Sequence, residues 1–100
     1  MISRDTIDKI YQVAIIEDVV GEFVRLKKAG SSYRGLSPFA NEKTPSFYVV
    51  PSKGIYKDFS SGKGGNVVDF LMQHEKFSYP EALRWLAAKY NIEIEEDQQS

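Results

Sequence analysis

Residues 46–59 read SFYVVPSKGIYKDF, and this stretch decides the fold class. The β-branched and aromatic run at its start predicts a strand, the turn residues PSKG end that strand, and IYKDF predicts its partner. Alternation along the first strand places Phe47 and Tyr48 on opposite faces. In the second strand, Tyr56 and Asp58 share the face opposite Lys57. The stretch therefore predicts an antiparallel hairpin with one buried face.

Upstream of this hairpin, two helices and two further strands are predicted. Ser3 is a suitable cap for a first helix with apolar residues at helical spacing, and residues 16–22 predict a second, shorter helix. Residues 23–28 (FVRLKK) alternate as a strand, and a turn leads into another strand at 33–36. The sheet is thus expected to be antiparallel and built from hairpins.

Downstream of the hairpin, two more helices are predicted. The glycine-rich turn at 60–65 ends at Asn66, which caps a helix with Asp69 three residues later. Ser78 and Glu81 predict a capping box for the next helix. Ile92-Glu93-Ile94 is a candidate edge strand. The prediction is one α+β domain over residues 1–94, with an acidic polar tail or linker start at 95–100.

Composition bounds the class of protein further. The 100 residues are 42% hydrophobic, enough for one modest core. There is no cysteine, which excludes disulfides and thiolate metal sites. No run approaches the ~18 apolar residues of a membrane span, and the first residues are too polar for a signal peptide. A cytoplasmic monomer without membrane contact is the expectation.

Charge is unevenly distributed along the chain. Residues 25–63 hold eight basic and two acidic residues, a net charge of +6, which leaves 5 basic and 12 acidic residues elsewhere. Either this is a solvated sheet face with scattered lysines, or it is the electrostatic footprint of a nucleic-acid site. Six aromatic residues share the same stretch. Basic grooves lined with rings are typical of single-strand binding, because cations contact phosphates and rings stack on bases.

Other motifs predict no chemistry. Gly62-Lys63-Gly64-Gly65-Asn66 lacks the spacing of a phosphate-binding loop, and its glycines are better explained by a tight turn. His74, the single histidine, is expected to be an exposed helix residue without partners for a metal site or a triad. The paired acids at 17–18 and 93–97 fit helix-end or tail positions. No catalytic residue is predicted.

Three segments resemble one known family. They read LSPFANEKTPSF (36–47), GIYKDFSSGKGGN (54–66) and FLMQHE (70–75). They are similar to the N-terminal zinc-binding domain of bacterial DNA primases, a zinc ribbon with a Cys-His-Cys-Cys ligand set, and the resemblance spans about residues 7–94. It implies a zinc-ribbon-like antiparallel sheet of hairpins flanked by helices.

The resemblance also implies that this chain has lost the metal site. The positions of the four zinc ligands are occupied here by Ser37, Ala40, Asp58 and Ser61. A lone carboxylate with two serines and an alanine is no zinc site, so no cofactor is expected. A naturally degenerate module and a metal-free redesign both fit, and the matching neighbours of all four changed positions favour redesign.

The family resemblance implies a function as well. In the family, this domain binds the single-stranded template, helps to choose where primers start and regulates a separate RNA-polymerase domain that carries the catalytic acids and magnesium. The chain alone is therefore predicted to be a DNA-binding module and not an enzyme. A metal-free scaffold or interaction module that has lost DNA binding is the alternative, and docking on the polymerase domain or the replicative helicase is a third reading. The predicted DNA-facing residues are the cations Lys27, Lys28, Arg34, Lys43, Lys57 and Lys63, with the rings of Tyr33, Phe39 and Tyr56 as candidate platforms.

Overall fold

A computed structural model of the chain describes residues 1–41 and 43–97. Its elements in chain order are α1 (Arg4–Val13), α2 (Ile16–Gly21), β1 (Lys27–Ala29), β2 (Ser32–Gly35), β3 (Phe47–Val50), β4 (Ile55–Asp58), β5 (Gly64–Gly65), α3 (Val67–His74) and α4 (Tyr79–Lys89). The strands form one antiparallel sheet in the order β1-β2-β3-β4-β5, so each strand pairs with its neighbour in sequence. The predicted α+β class and its hairpins are confirmed.

Helix starts follow the capping residues read from the sequence. The Ser3 side chain accepts a hydrogen bond from the Thr6 amide at the start of α1. Reciprocal capping boxes form between Asn66 and Asp69 at α3, and between Ser78 and Glu81 at α4. Each box satisfies amides that the first helical turn leaves without partners. These local bonds fix where α3 and α4 begin.

The core lies between one face of the sheet and the helices. Phe47, Val49 and Tyr56 are fully buried on the inner face of the sheet. The Phe70 ring of α3 packs edge-on against Tyr56, with 5.4 Å between ring centroids. Alternation in β3 and β4 therefore sorts the side chains as predicted, and leaves the other face of the sheet free of helices.

Two local predictions are wrong. The first strand was expected over residues 23–28, but β1 begins only at Lys27. The predicted glycine-rich turn at 60–65 contains a fifth strand, because Gly64 and Gly65 pair with β4. A Cβ on Gly65 would lie within 3 Å of the Asp69 side chain, and its φ of +146° favours glycine. The glycine thus allows a strand edge to run directly into the start of α3.

The two ends of the described chain pair with each other. The Ser3 amide donates to the Glu95 carbonyl and the Asp97 amide donates to the Met1 carbonyl, both at 2.8 Å. The pairing forms a single bridge between Ile2 and Glu96. The edge strand expected at 92–94 is not formed. Residues 95–97, predicted as tail, thus contact the domain, whereas 98–100 lie outside the described residues. Within the described ranges, no helix is long and apolar enough to cross a membrane.

Candidate nucleic-acid interface

A buried carboxylate joins three segments at one end of the sheet. Asp58, at the end of β4, is only 2% exposed. Its Oδ2 accepts two short hydrogen bonds of 2.6 Å, one from the Ser37 hydroxyl and one from the Ser61 hydroxyl. We call Ser37, Asp58 and Ser61 the Asp58 network. It ties the loop after β2 to the turn after β4.

Each serine of the network also orders its own loop. The Ser37 hydroxyl accepts hydrogen bonds from the amides of Phe39 and Ala40, at 3.0 and 3.1 Å. The Ser61 hydroxyl accepts from the Lys63 amide at 3.2 Å. Each hydroxyl therefore donates to the carboxylate and accepts from the backbone. The result is a continuous set of bonds from one loop through Asp58 to the other.

The environment of Asp58 favours the charged carboxylate. Burial alone would raise the pKa of Asp58, but the hydrogen bonds from Ser37 and Ser61 and from the backbone of Ser60 and Ser61 outweigh it, so that pKa lies below its ordinary value. At neutral pH the network therefore contains a buried negative charge held by hydrogen-bond donors.

The face of the sheet away from the helices carries a row of cations. Strand register aligns Lys27 with Arg34, Arg34 with Tyr48, and Tyr48 with Lys57. The three cations of this row are exposed and Tyr48 is partly exposed. With strands about 4.8 Å apart, the row spans roughly 14 Å. The only acidic side chain in the five strands is Asp58, which faces the core.

An aromatic pair is formed by Tyr48 of this row and Phe59 beside it. Phe59, directly after β4, is 72% exposed, which is unusual for a large apolar side chain. Its ring packs edge-on against Tyr48, with 5.6 Å between centroids. We call Lys27, Arg34, Tyr48, Lys57 and Phe59 the open face. It combines three positive charges with two aromatic rings that are at least partly exposed to solvent.

Only three of the six predicted DNA-facing cations lie on the open face. Lys27, Arg34 and Lys57 converge on the open face. Two other predicted cations lie against rings: Lys28 Nζ is 4.9 Å from the Tyr33 ring centroid, and Lys63 Nζ is 5.8 Å from that of Phe39. Lys43 is an exposed residue in the loop between β2 and β3.

The predicted aromatic platforms lie on the other side of the sheet. Tyr56 is 0% exposed, so the prediction that its ring offers a stacking platform is wrong. Its hydroxyl donates to the Gln73 side chain, and burial raises the pKa of Tyr56 above its ordinary value. Phe39 and Tyr33 are half-buried against the core. Tyr48 and Phe59 were missed as platforms, although Tyr48 alternates with the buried Phe47.

His74 also differs from its prediction. Its imidazole is half-buried instead of exposed and stacks on the Phe70 ring, with 5.1 Å between centroids. The rings of Phe23 and Phe39 pack against it at 5.5 and 5.9 Å. His74 therefore belongs to an aromatic cluster between the sheet and α3.

Comparison with known proteins places this architecture in a family. Residues 2–100 match the family described as CHC2 zinc finger. The chain belongs to the CHC2 zinc-finger family. Its CHC2 domain is 46% identical over 97 residues to a DNA primase of Clostridium acetobutylicum and 44% identical over 94 residues to one of Thermotoga maritima.

A solved CHC2 structure shares the fold. It contains the zinc-binding and RNA-polymerase domains of the Aquifex aeolicus primase, with a TM-score of 0.83, 42% identity and 92% of this chain covered. The likeness to primases covers 97% and 94% of this chain for the two relatives above, but only 16% and 17% of their own length. The CHC2 domain thus corresponds to the N-terminal zinc-binding part of a bacterial primase, and the RNA-polymerase domain is separate.

The residues at the CHC2 ligand positions do not fit zinc. Ala40 has no ligand atom, and the Ser37 and Ser61 hydroxyls point their protons at Asp58. Asp58 is the only carboxylate of the four, and no cluster of three His, Cys, Asp or Glu side chains occurs in the part of the chain that the structure describes. Zinc sites use thiolates, imidazoles and carboxylates, typically four of them. Hydrogen bonds of the Asp58 network join three of these four positions.

Proposed function

We propose that this CHC2 domain is the template-binding module of a DNA primase, and that it holds single-stranded DNA on the open face without zinc. The observation that carries the proposal is the row of Lys27, Arg34 and Lys57 with Tyr48 and Phe59 beside it. Cations contact the phosphates of the strand, and the rings stack on its bases. The domain contributes binding, and the synthesis of primers belongs to the RNA-polymerase domain of the whole enzyme.

Charge and exposure both support single-stranded DNA as the ligand. The open face presents three cations and no acidic side chain, because Asp58 is buried on the opposite face. The exposed ring of Phe59 has no structural partner apart from Tyr48 among the aromatic contacts of the described residues. Bases of a duplex are already stacked, whereas unpaired bases have free faces for such a ring.

The Asp58 network supports the same proposal, because it positions one edge of the open face. Asp58 lies between Lys57 and Phe59 in sequence, and its bonds to Ser37 and Ser61 fix the backbone that carries both. Ordered loops lower the entropic cost of binding. A domain that kept the fold but lost the ordered loops would be a scaffold only.

The proposal is tested by fluorescence anisotropy with a labelled single-stranded oligonucleotide of about 12 nucleotides, in chelator, over a series of salt concentrations. We expect binding at low salt that weakens steeply as salt rises. Arg34→Ala and Lys57→Ala should each weaken binding and reduce the slope of log K against log salt by about one. Phe59→Ala should weaken binding about tenfold and leave the slope unchanged.

Matched controls lie on α1, away from the open face. Arg4→Ala and Lys9→Ala remove the same charges from exposed positions. They should change neither affinity nor slope by more than a small fraction of the open-face effect. Absence of binding even at low salt would refute the proposal and leave the scaffold or protein-docking reading. Equal losses for the control and open-face variants would show that total charge, and not this face, attracts DNA.

A further inference from the structure

A cleft at the β1–β2 edge of the sheet differs from the other cavities of the described residues. It has a volume of about 410 Å³ and is lined by Val24, Arg25, Lys27, Arg34, Gly35, Leu36 and Pro45. We call it the Leu36 cleft. Its size is within the range of small-molecule sites, which are about 300–1,000 Å³. Leu36 is 50% exposed and faces this space instead of the core.

Charge separates the Leu36 cleft from its neighbours. Among the described residues that line it, three are cations and none is acidic. An open cavity of about 590 Å³ near α2 also contains Arg25, but Glu17, Asp18 and Glu22 line it as well. Another, at the paired chain ends, is apolar and flanked by the Arg84–Glu96 ion pair. An anion is therefore favoured in the Leu36 cleft and not in those two cavities.

The walls of the cleft are held at a fixed separation by backbone packing. A Cβ on Gly35 would lie 2.5 Å from the Arg25 carbonyl oxygen, so the two chain segments touch directly at this point. Only a residue without a side chain allows that approach. The close approach places Leu36, the residue after Gly35, in the same cleft as Arg25.

The cleft is continuous with the open face. Lys27 and Arg34 are directly paired across β1 and β2, and both also line the cleft. A single strand of DNA that runs along the row of cations from Lys57 toward β1 therefore reaches the cleft at the β1 end of the row. Apolar side chains contact bases, and arginine and lysine contact phosphates.

We propose that the Leu36 cleft is a nucleotide subsite, which takes one base of the single strand against Leu36 and Pro45 and its phosphate beside Arg25 and Arg34. This inference rests on the proposed function and adds to it the place where one nucleotide is held individually. The open face supplies sequence-independent contacts, whereas an enclosed base can be distinguished by its shape. The Leu36 cleft is thus the part of the domain suited to base preference.

The test separates apolar from ionic contributions by the salt dependence of binding. Leu36→Ser removes apolar contact and no charge, so it should weaken oligonucleotide binding about fivefold without changing the salt slope. Arg25→Ala should weaken binding and lower the slope by about one. The matched control is Val13→Ser, since Val13 is a similarly exposed apolar residue on α1. Its affinity should equal that of the wild type.

A second measurement uses the unaltered protein, so that a misfolded variant cannot hide the result. In carbon–proton NMR spectra, the same oligonucleotide should shift the Leu36 methyl signals and leave those of Val13 in place. The proposed subsite is refuted if Leu36→Ser binds the oligonucleotide with wild-type affinity. It is also refuted if the wild-type protein binds the oligonucleotide and its Leu36 methyl signals do not shift. Neither result would contradict DNA binding by the open face. If the wild type binds no single strand at low salt, both inferences fall together.

Discussion

Replacing Asp58 by alanine tests whether the hydrogen bonds of the Asp58 network stabilise the fold. The substitution removes the acceptor of two 2.6 Å hydroxyl bonds. Hydrogen bonds to charged groups contribute about 1.5–3 kcal/mol each. Ser61 is exposed and regains water, whereas the buried Ser37 hydroxyl is left without an acceptor. We therefore expect the free energy of unfolding to fall by about 2–4 kcal/mol, against a total of roughly 5–15 kcal/mol for such a domain.

The assay is thermal and denaturant unfolding followed by circular dichroism, in chelator. A loss of this size corresponds to a melting temperature lower by roughly 10–25 °C. Asp58→Asn keeps the shape and one acceptor oxygen, and should lose about 1–2 kcal/mol. Asp8→Ala serves as the control, because its ion pair with Arg4 is exposed and should contribute under about 0.5 kcal/mol. A loss below about 1 kcal/mol for Asp58→Ala would refute the stabilising role of the network.

The same network gives the unfolding free energy a pH dependence of known sign. Because the pKa of Asp58 is lowered in the folded state, its stabilising contribution is present above the ordinary carboxyl pKa and is lost as the pH falls through the lower, folded value. The difference in stability between wild type and Asp58→Asn should therefore be largest at neutral pH and shrink below about pH 4. A difference that grows on acidification would contradict the assigned charge state.

Three further variants test the absence of a zinc site and two other features of the fold. A variant with the family ligand types carries Ser37→Cys, Ala40→His, Asp58→Cys and Ser61→Cys. It should bind one zinc ion per chain by atomic emission and lose stability in chelator, whereas the unaltered chain should do neither. Gly65→Ala should lower the unfolding free energy by about 1–3 kcal/mol in denaturant melts, because its Cβ would meet Asp69 and its φ is +146°. Tyr56→Phe should lose about 1 kcal/mol in the same melts, since it leaves the Gln73 side chain without its donor, and it should leave DNA affinity unchanged.

Local patterns in the sequence predicted local structure well. The capping boxes at Asn66 and Ser78 predicted two helix starts, and the alternation of Phe47 with Tyr48 predicted that only one face of β3 is buried. Such signals depend on neighbours within a few residues along the chain. The two-residue strand β5 was missed because glycines indicate a turn unless their partner strand is known.

Contacts between segments that are distant in the chain could not be predicted from such local patterns. Ser37 lies 21 residues from Asp58, so their hydrogen bond depends on how the hairpins are arranged in the folded sheet. Tyr56 was wrongly included among the platforms, because ring type and nearby charge do not tell the inner face of a strand from the outer one. Alternation did predict that Tyr56 and Asp58 share one face of β4. Since both are buried, that shared face is the inner one.

The pairing of the chain ends determines how the domain would respond to mechanical force. The bonds between Ser3 and Glu95 and between Asp97 and Met1 lie along the direction in which the ends would be pulled apart. Under this load the hydrogen bonds break one after another, because the force acts on one bond at a time. The resisting force is therefore that of a single hydrogen bond. Tension applied between the two ends would therefore peel residues 1–3 from 95–97 first. The sheet that carries the open face would then be loaded only after α1 had been pulled away.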